Sequence, residues 1–410
     1  MTTKRANWLF LTIILVHVGV VVLLNFAGDR IPIGIVANFF LAQAIVMAPT
    51  LLFLFAFERG GRRAGRSEEG LEAYGMPPAV CGVNRPLAAA GFHKVKITTL
   101  LMIMLCTFLI MPLVALCNAV SLFFTDNTMA SMQGNIVDMP FSVMLFMIGI
   151  FGPFCEEFVF RGVFYRSYRA DGAGTGIGKA GVQGGGIRAI LLSALLFGLM
   201  HMNFNQALYA FVMGIFLAVL VEAAGSLWAS VFCHMFFNSV EVVLMYVSER
   251  ILENLSGQSA GEMMPELTTQ SLLAALSVYL IIAAVTTPIA VCAVVWIAKN
   301  EGRQETMAGL FYGSQKRRTV RQAPPIPQGM PPMPQGMSPM PQGMPPMPQG
   351  MPQGMPPMPQ GMPQMPQGMP LVPQPILQAE EKEPRRYLLS IPLIVGIVLC
   401  LGIMSLEFFL

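Results

Sequence analysis

Phe154-Cys155-Glu156-Glu157-Phe158-Val159-Phe160-Arg161-Gly162-Val163-Phe164 decides the architecture of this chain. Two carboxylates and a guanidinium stand inside an apolar run, 141–166, that is long enough to cross a bilayer. An ionised side chain there costs roughly 2.5–3.5 kcal/mol on insertion scales, so such residues persist where they work. Two more apolar segments are interrupted in the same way, by Phe197-Gly198-Leu199-Met200-His201 and by His234-Met235-Phe236-Phe237-Asn238. Five groups capable of catalysis, two carboxylates, two imidazoles and a carboxamide, thus sit on three membrane segments.

The composition around them agrees. Of 410 residues, 54% are hydrophobic and only 11% charged, with a mean hydropathy of +0.61. Soluble domains carry about 25% charged residues, so the expected class is an all-α, multipass transmembrane helical bundle. The net charge of +3 is too small to suggest a nucleic-acid partner. The seven cysteines form no CxxC pair, and most lie in apolar segments, which speaks against a disulfide framework or a zinc ribbon. The N-terminal apolar run after Lys4-Arg5 is too long for a signal peptide and reads as an uncleaved first span.

Candidate spans fall at 8–27, 32–57, 98–124, 141–166, 188–203, 206–222, 227–247, 272–298 and 388–409. Loop charge provides an independent test. Lys4 and Arg5 place the N-terminus inside, and the loops 58–97 and 166–188 and the segment after 298 are rich in Lys and Arg. By contrast 125–139 holds two Asp and no Lys or Arg, and 248–270 has four Glu against one Arg. The positive-inside rule therefore fits eight core helices with both ends of the core inside, plus one C-terminal helix ending outside. The expected division is N-terminal helices and a basic loop over 1–97, a core over 98–300, a linker over 301–387 and a C-terminal helix over 388–410.

Within the linker, 322–379 repeats Met-Pro-Gln-Gly-Met-Pro without a single charge. Such a composition cannot bury a core and favours extended polyproline-like chain, reaching about 180 Å at about 3.1 Å per residue. It reads either as a tether that docks a tail-binding protein or as an expanded repeat without specific chemistry.

The spacing of the polar residues assigns them parts. Glu157 and Arg161 are four apart and share a helix face, so they can pair. Glu156 points about 100° around the turn and stays available as a base near neutrality. The opposing reading is a structural ion cluster that locks helix ends together. His201 lies one turn beyond Phe197, and His234 and Asn238 share a face. Counted from the inner flanks at about 1.5 Å per residue, Glu156 and His201 lie roughly 20 Å deep and His234 roughly 12 Å, depths that allow convergence. Two schemes fit. In one, Glu156 and His201 deprotonate a water that attacks a peptide carbonyl while His234 and Asn238 donate to the oxyanion. In the other, Glu156, His201 and His234 hold a divalent metal such as zinc that activates the water. No HExxH, GxSxG elbow or intramembrane Asp pair occurs, which disfavours ordinary zincin, serine and aspartyl schemes.

The ordered set EExxxR (Glu156, Glu157, Arg161), FxxxH (Phe197, His201) and HxxxN (His234, Asn238) resembles the CAAX protease and bacteriocin-processing family, also called Abi or CAAX prenyl protease 2-like. The resemblance covers about 141–240. It implies an eight-helix intramembrane endopeptidase with a conical cavity, in which Glu156 and His201 activate water and His234 and Asn238 form the oxyanion site. It leaves metal participation, and hence the name metalloprotease, open. The substrate expected from it is a membrane-associated protein or peptide, including CAAX-like lipidated ones. The rival is a non-enzymatic membrane scaffold or bacteriocin-immunity-type regulator on the same fold.

Other motifs carry less. Glu241 lies on the stripe of His234 and Asn238 and reads as a satisfied polar residue near the outer surface or as a group orienting the site. Gly176-Ile177-Gly178-Lys179-Ala180-Gly181 is a formal GxGxxG with no preceding strand, so nucleotide binding is not expected. His17 and His93 are isolated and are expected to have no catalytic part.

Overall fold

The computed structural model describes residues 1–27, 34–65, 91–171, 186–256, 268–311 and 388–406. The repeat 322–379 and the GxGxxG at 176–181 lie outside the described residues. Among those described there are helices and no strand. In chain order they are α1 (Thr3–Ala27), α2 (Ile35–Gly65), α3 (Ile97–Ser121), α4 (Thr128–Val137), α5 (141–171), α6 (Gly186–Leu199), α7 (Phe204–Ala224), α8 (Leu227–Ser256), α9 (Thr269–Asn300), α10 (Gln304–Phe311) and α11 (Ile391–Ser405). Seven of them, α1, α2, α3, α5, α7, α8 and α9, are long and apolar enough to cross a membrane. The protein is an all-α multipass membrane bundle.

Burial follows from the lipid solvent. Large apolar side chains such as Leu52, Phe55, Ile281 and Val285 face outward, because hydrocarbon solvates them as well as a core would. The interior is where the polar residues gather. Glu157 and Arg161 are fully buried, and Asn7, Asn205, Glu222 and His234 nearly so.

The expected span 188–203 is present as a helix over its first part, and its end differs from the expectation. Helix α6 has 14 residues, about 21 Å at 1.5 Å per residue, short of the roughly 30 Å of hydrocarbon. It stops at Leu199, and 200–203 form a tight turn in which Met202 adopts a left-handed conformation (φ 56°). Asn203 closes this turn. Its Oδ1 caps α7 by accepting from the Gln206 N–H at 2.7 Å, and its Nδ2 donates to the His201 carbonyl at 2.9 Å. The turn is thereby fixed with His201 on it.

Close helix approach is permitted by small residues, as membrane packing requires. A Cβ built on Gly214 of α7 would lie 3.0 Å from both Cα and Cβ of Ala194 on α6, and 3.3 Å from Arg161 Nη2. Gly214→Val should therefore push α6 from α7 and displace Arg161, destabilising the bundle by about 1–3 kcal/mol. The check is thermal unfolding of the purified protein in detergent. A melting midpoint equal to wild type would contradict this packing account.

A second polar cluster, absent from the sequence reading, ties three helix ends together. Tyr165 of α5 donates to Glu222 of α7, and Arg169 Nε reaches the same carboxylate at 3.0 Å. Arg303, at the start of α10, places Nη2 3.7 Å from Glu222 Oε2 and donates from Nε to the Glu222 carbonyl at 2.7 Å. At α1, the buried Asn7 accepts from the Tyr168 hydroxyl at 3.0 Å and donates to the Leu388 carbonyl and the Ser390 hydroxyl, both at 2.9 Å. These bonds join α11 to the bundle, where Gly396 lets the Phe10 ring pack against its backbone. A cavity of about 800 Å³ opens between α1 and α11, lined in part by Lys4, Trp8, Ser390 and Val395. None of the three polar motifs contributes to its lining, which comes from the junction of these two helices.

Candidate active site

The site is built on α5, and α5 is not a regular helix. Two π-helical stretches, Leu145–Phe151 and Phe158–Tyr165, flank an α-helical turn, Gly152–Glu157, that carries both carboxylates. Pro153 accounts for part of this. It has no N–H, so carbonyls one turn earlier lose their intrahelical donor. The vacancy is filled from α8. Asn238 Nδ2 donates to the Ile148 carbonyl at 3.1 Å, and the Ser239 hydroxyl lies 3.5 Å from the Gly149 carbonyl. Gly149 allows the approach, since a Cβ there would meet Ser239 Oγ at 2.7 Å. The widened turns aim successive side chains differently from a regular helix, a pattern that recurs at functional sites.

Glu157 is the hub. Its Oε1 accepts from Arg161 Nη1 at 2.7 Å and from His234 Nδ1 at 3.0 Å, with all three side chains buried. The pairing expected from the i, i+4 spacing is present, and His234 joins it from α8. With Nδ1 bonded to Glu157, the other ring nitrogen of His234 faces Glu156, whose Oε2 lies 3.9 Å from Nε2. Glu156 keeps a side-chain exposure of 23% against 0% for Glu157. The adjacent carboxylates therefore differ in kind: one is locked in an ion pair and the other opens to the site.

Phe197 organises the remaining members. Its ring meets His201 edge-on at a centroid distance of 5.1 Å and His234 at 5.8 Å. The Arg161 guanidinium carbon lies over its face at 4.3 Å, a cation–π contact that compensates for Nε and Nη2 of Arg161, which have no hydrogen-bond partner among the described residues. His201 Nδ1 donates to the Phe197 carbonyl at 3.0 Å. That bond leaves Nε2 as the free acceptor of a neutral imidazole.

Glu156, Glu157, Arg161, His201 and His234 thus meet around Phe197. Asn238 stands one turn beyond His234 and has one amide hydrogen engaged by Ile148. Glu241, further along α8, is exposed at the bundle surface. Two neighbours escaped the sequence reading. Gln43 of α2 donates to Glu156 Oε1 at 3.3 Å, and Tyr209 of α7 lies within electrostatic reach of both Glu156 and Glu241. Neither belongs to a spaced motif, so only proximity reveals them. The metal scheme finds no support in the donor geometry. Among the described residues no three His, Cys, Asp or Glu side chains gather as a metal site would require.

The bundle thus gathers a buried acid–imidazole cluster at membrane-spanning helices. Residues 138–240 match the family model described as type II CAAX prenyl endopeptidase Rce1-like. The match spans about a quarter of the chain and contains all three motifs, so this segment is similar to the CAAX-type intramembrane proteases. No curated protein and no solved structure matches the chain.

Proposed function

We propose that the protein is an endopeptidase that hydrolyses a peptide bond of a membrane-associated protein or peptide, CAAX-like lipidated chains among them, through a water activated by Glu156. The observation that carries this reading is the division of labour between adjacent carboxylates, with Glu157 consumed by Arg161 and His234 while Glu156 faces the open side of the cluster. Water is held between Glu156 and His201 Nε2. Glu156 takes its proton as the oxygen attacks the substrate's carbonyl carbon. The resulting oxyanion is met by His234 Nε2–H and by the second amide hydrogen of Asn238. Donation from Nε2 while Nδ1–H is bonded to Glu157 requires the imidazolium form, whose charge faces a carboxylate on each side. The C–N bond then breaks as Glu156 returns the proton to the amine, which leaves one new carboxylate and one new amino terminus. Loop charges support an N-terminus on the inner side; substrate entry from that face and the Pro-Met repeat as a tether for a tail-binding partner complete this reading.

The test compares membrane peptides from cells carrying wild type or Glu156→Ala at matched expression, by quantitative mass spectrometry. Fragments present only with wild type are expected, and their ends define the cleavage rule. Identical profiles together with an intact cellular phenotype would move the weight to a non-enzymatic scaffold.

A further inference from the structure

Gln43 lies on α2, far outside the segment 138–240 that carries the family motifs. Its flanks, Leu41-Ala42 and Ala44-Ile45-Val46, are apolar, so a carboxamide at this point of a membrane helix needs a partner. Nε2 finds one in Glu156 Oε1 at 3.3 Å. Oε1 does not: it is buried and has no hydrogen-bond partner among the described residues. Gly152, one turn before Glu156, faces the same amide. A Cβ there would sit 3.2 Å from the Met147 carbonyl and 3.4 Å from Gln43 Nε2, so glycine leaves the amide its place beside α5.

A tie between α2 and α5 accounts for Nε2 but not for the orphaned acceptor beside it. The chemistry assigned to Glu156 accounts for both. A carboxylate only accepts hydrogen bonds, whereas the carboxylic acid formed when it takes a proton must donate one. A carboxamide offers a donor and an acceptor in one plane, and rotation about its last bond exchanges them.

We propose that Gln43 is a positioning residue for Glu156 in both of its protonation states. Nε2 holds the carboxylate before the reaction. After Glu156 has taken the proton from water, Oε1 accepts the new O–H and keeps the acid aimed at the leaving amine. The proton passes from water to Glu156 to the amine, and Gln43 neither gains nor loses one. This inference rests on the assignment of Glu156 as the base.

The test uses the full-length protein in detergent and a synthetic peptide built on a cleavage site found by the membrane-peptide comparison. Gln43→Met keeps the length of the side chain and removes both polar atoms. Turnover should fall about 10- to 100-fold, as expected for a lost hydrogen bond to a charged group, with KM within about twofold. The melting midpoint should hold or rise, since an unpaired buried acceptor has been removed. Turnover within twofold of wild type in folded Gln43→Met would overturn the proposal. So would a joint fall in turnover and melting midpoint, the signature of a helix tie alone. Glu156→Gln in the same assay separates the two levels. If that variant turns over like wild type, the assignment of the base fails and takes this inference with it; if it is inactive while Gln43→Met is unaffected, only the role of Gln43 fails.

Discussion

Arg161→Met should lower the stability of the folded bundle by about 3–5 kcal/mol, among the largest effects of any single substitution in this chain. The guanidinium is fully buried and, among the described residues, is the only positively charged side chain paired with the buried Glu157 besides a protonated His234. Its removal leaves a carboxylate in a medium that solvates it poorly, and also strips the face of Phe197 of its cation. The double variant Arg161→Met/Glu157→Gln removes both charges and should recover a large part of the loss, because the penalty comes from the uncompensated charge rather than from the missing attraction. Unfolding of both variants in detergent, followed by intrinsic fluorescence, decides the matter. Equal destabilisation of the single and double variants would show that Arg161 acts by shape and not by charge.

Glu157→Gln probes the other arm of the same cluster. The amide preserves the volume and can still accept from Arg161, but it no longer fixes which nitrogen of His234 carries a proton or supports its positive form. Loss of the carboxylate behind a working imidazole costs about 10²- to 10⁴-fold in turnover. A decrease of that size is expected in kcat of the folded fraction, with little change in KM. Rapid turnover by well-folded Glu157→Gln would mean that His234 works without its carboxylate and that the acid–imidazole contact is structural.

The two variants touch residues whose partnership was only half legible in the chain. Glu157 and Arg161 could be paired from their spacing, because i and i+4 on a helix share a face whatever surrounds them. His234 could be singled out as a polar residue in an apolar run, yet nothing in its neighbourhood of sequence pointed to Glu157, 77 residues away. Gln43 was invisible for the same reason, being one amide in an ordinary apolar helix. Glu222 stood at the edge of an expected span, and its burial under Tyr165, Arg169 and Arg303 depends on three helix ends arriving at one place. The π-helical stretches of α5 were missed as well. They reflect the missing N–H of Pro153 and the donors that Asn238 and Ser239 bring from α8, so local propensity alone would have drawn a regular helix through 141–166.

By itself, then, the sequence determined that this is an all-α membrane bundle and which polar residues are worth watching. A bilayer admits few spanning structures and penalises every buried charge, so hydropathy and the interruptions in it carry that information directly. Only the tertiary structure decided that α6 stops short and presents His201 on a turn, that α11 packs on α1, and that one of two adjacent glutamates is locked while the other stays open. Those outcomes depend on which helices touch, and contacts between distant segments are set by shape and polar satisfaction across the whole bundle rather than by the order of residues along any one helix.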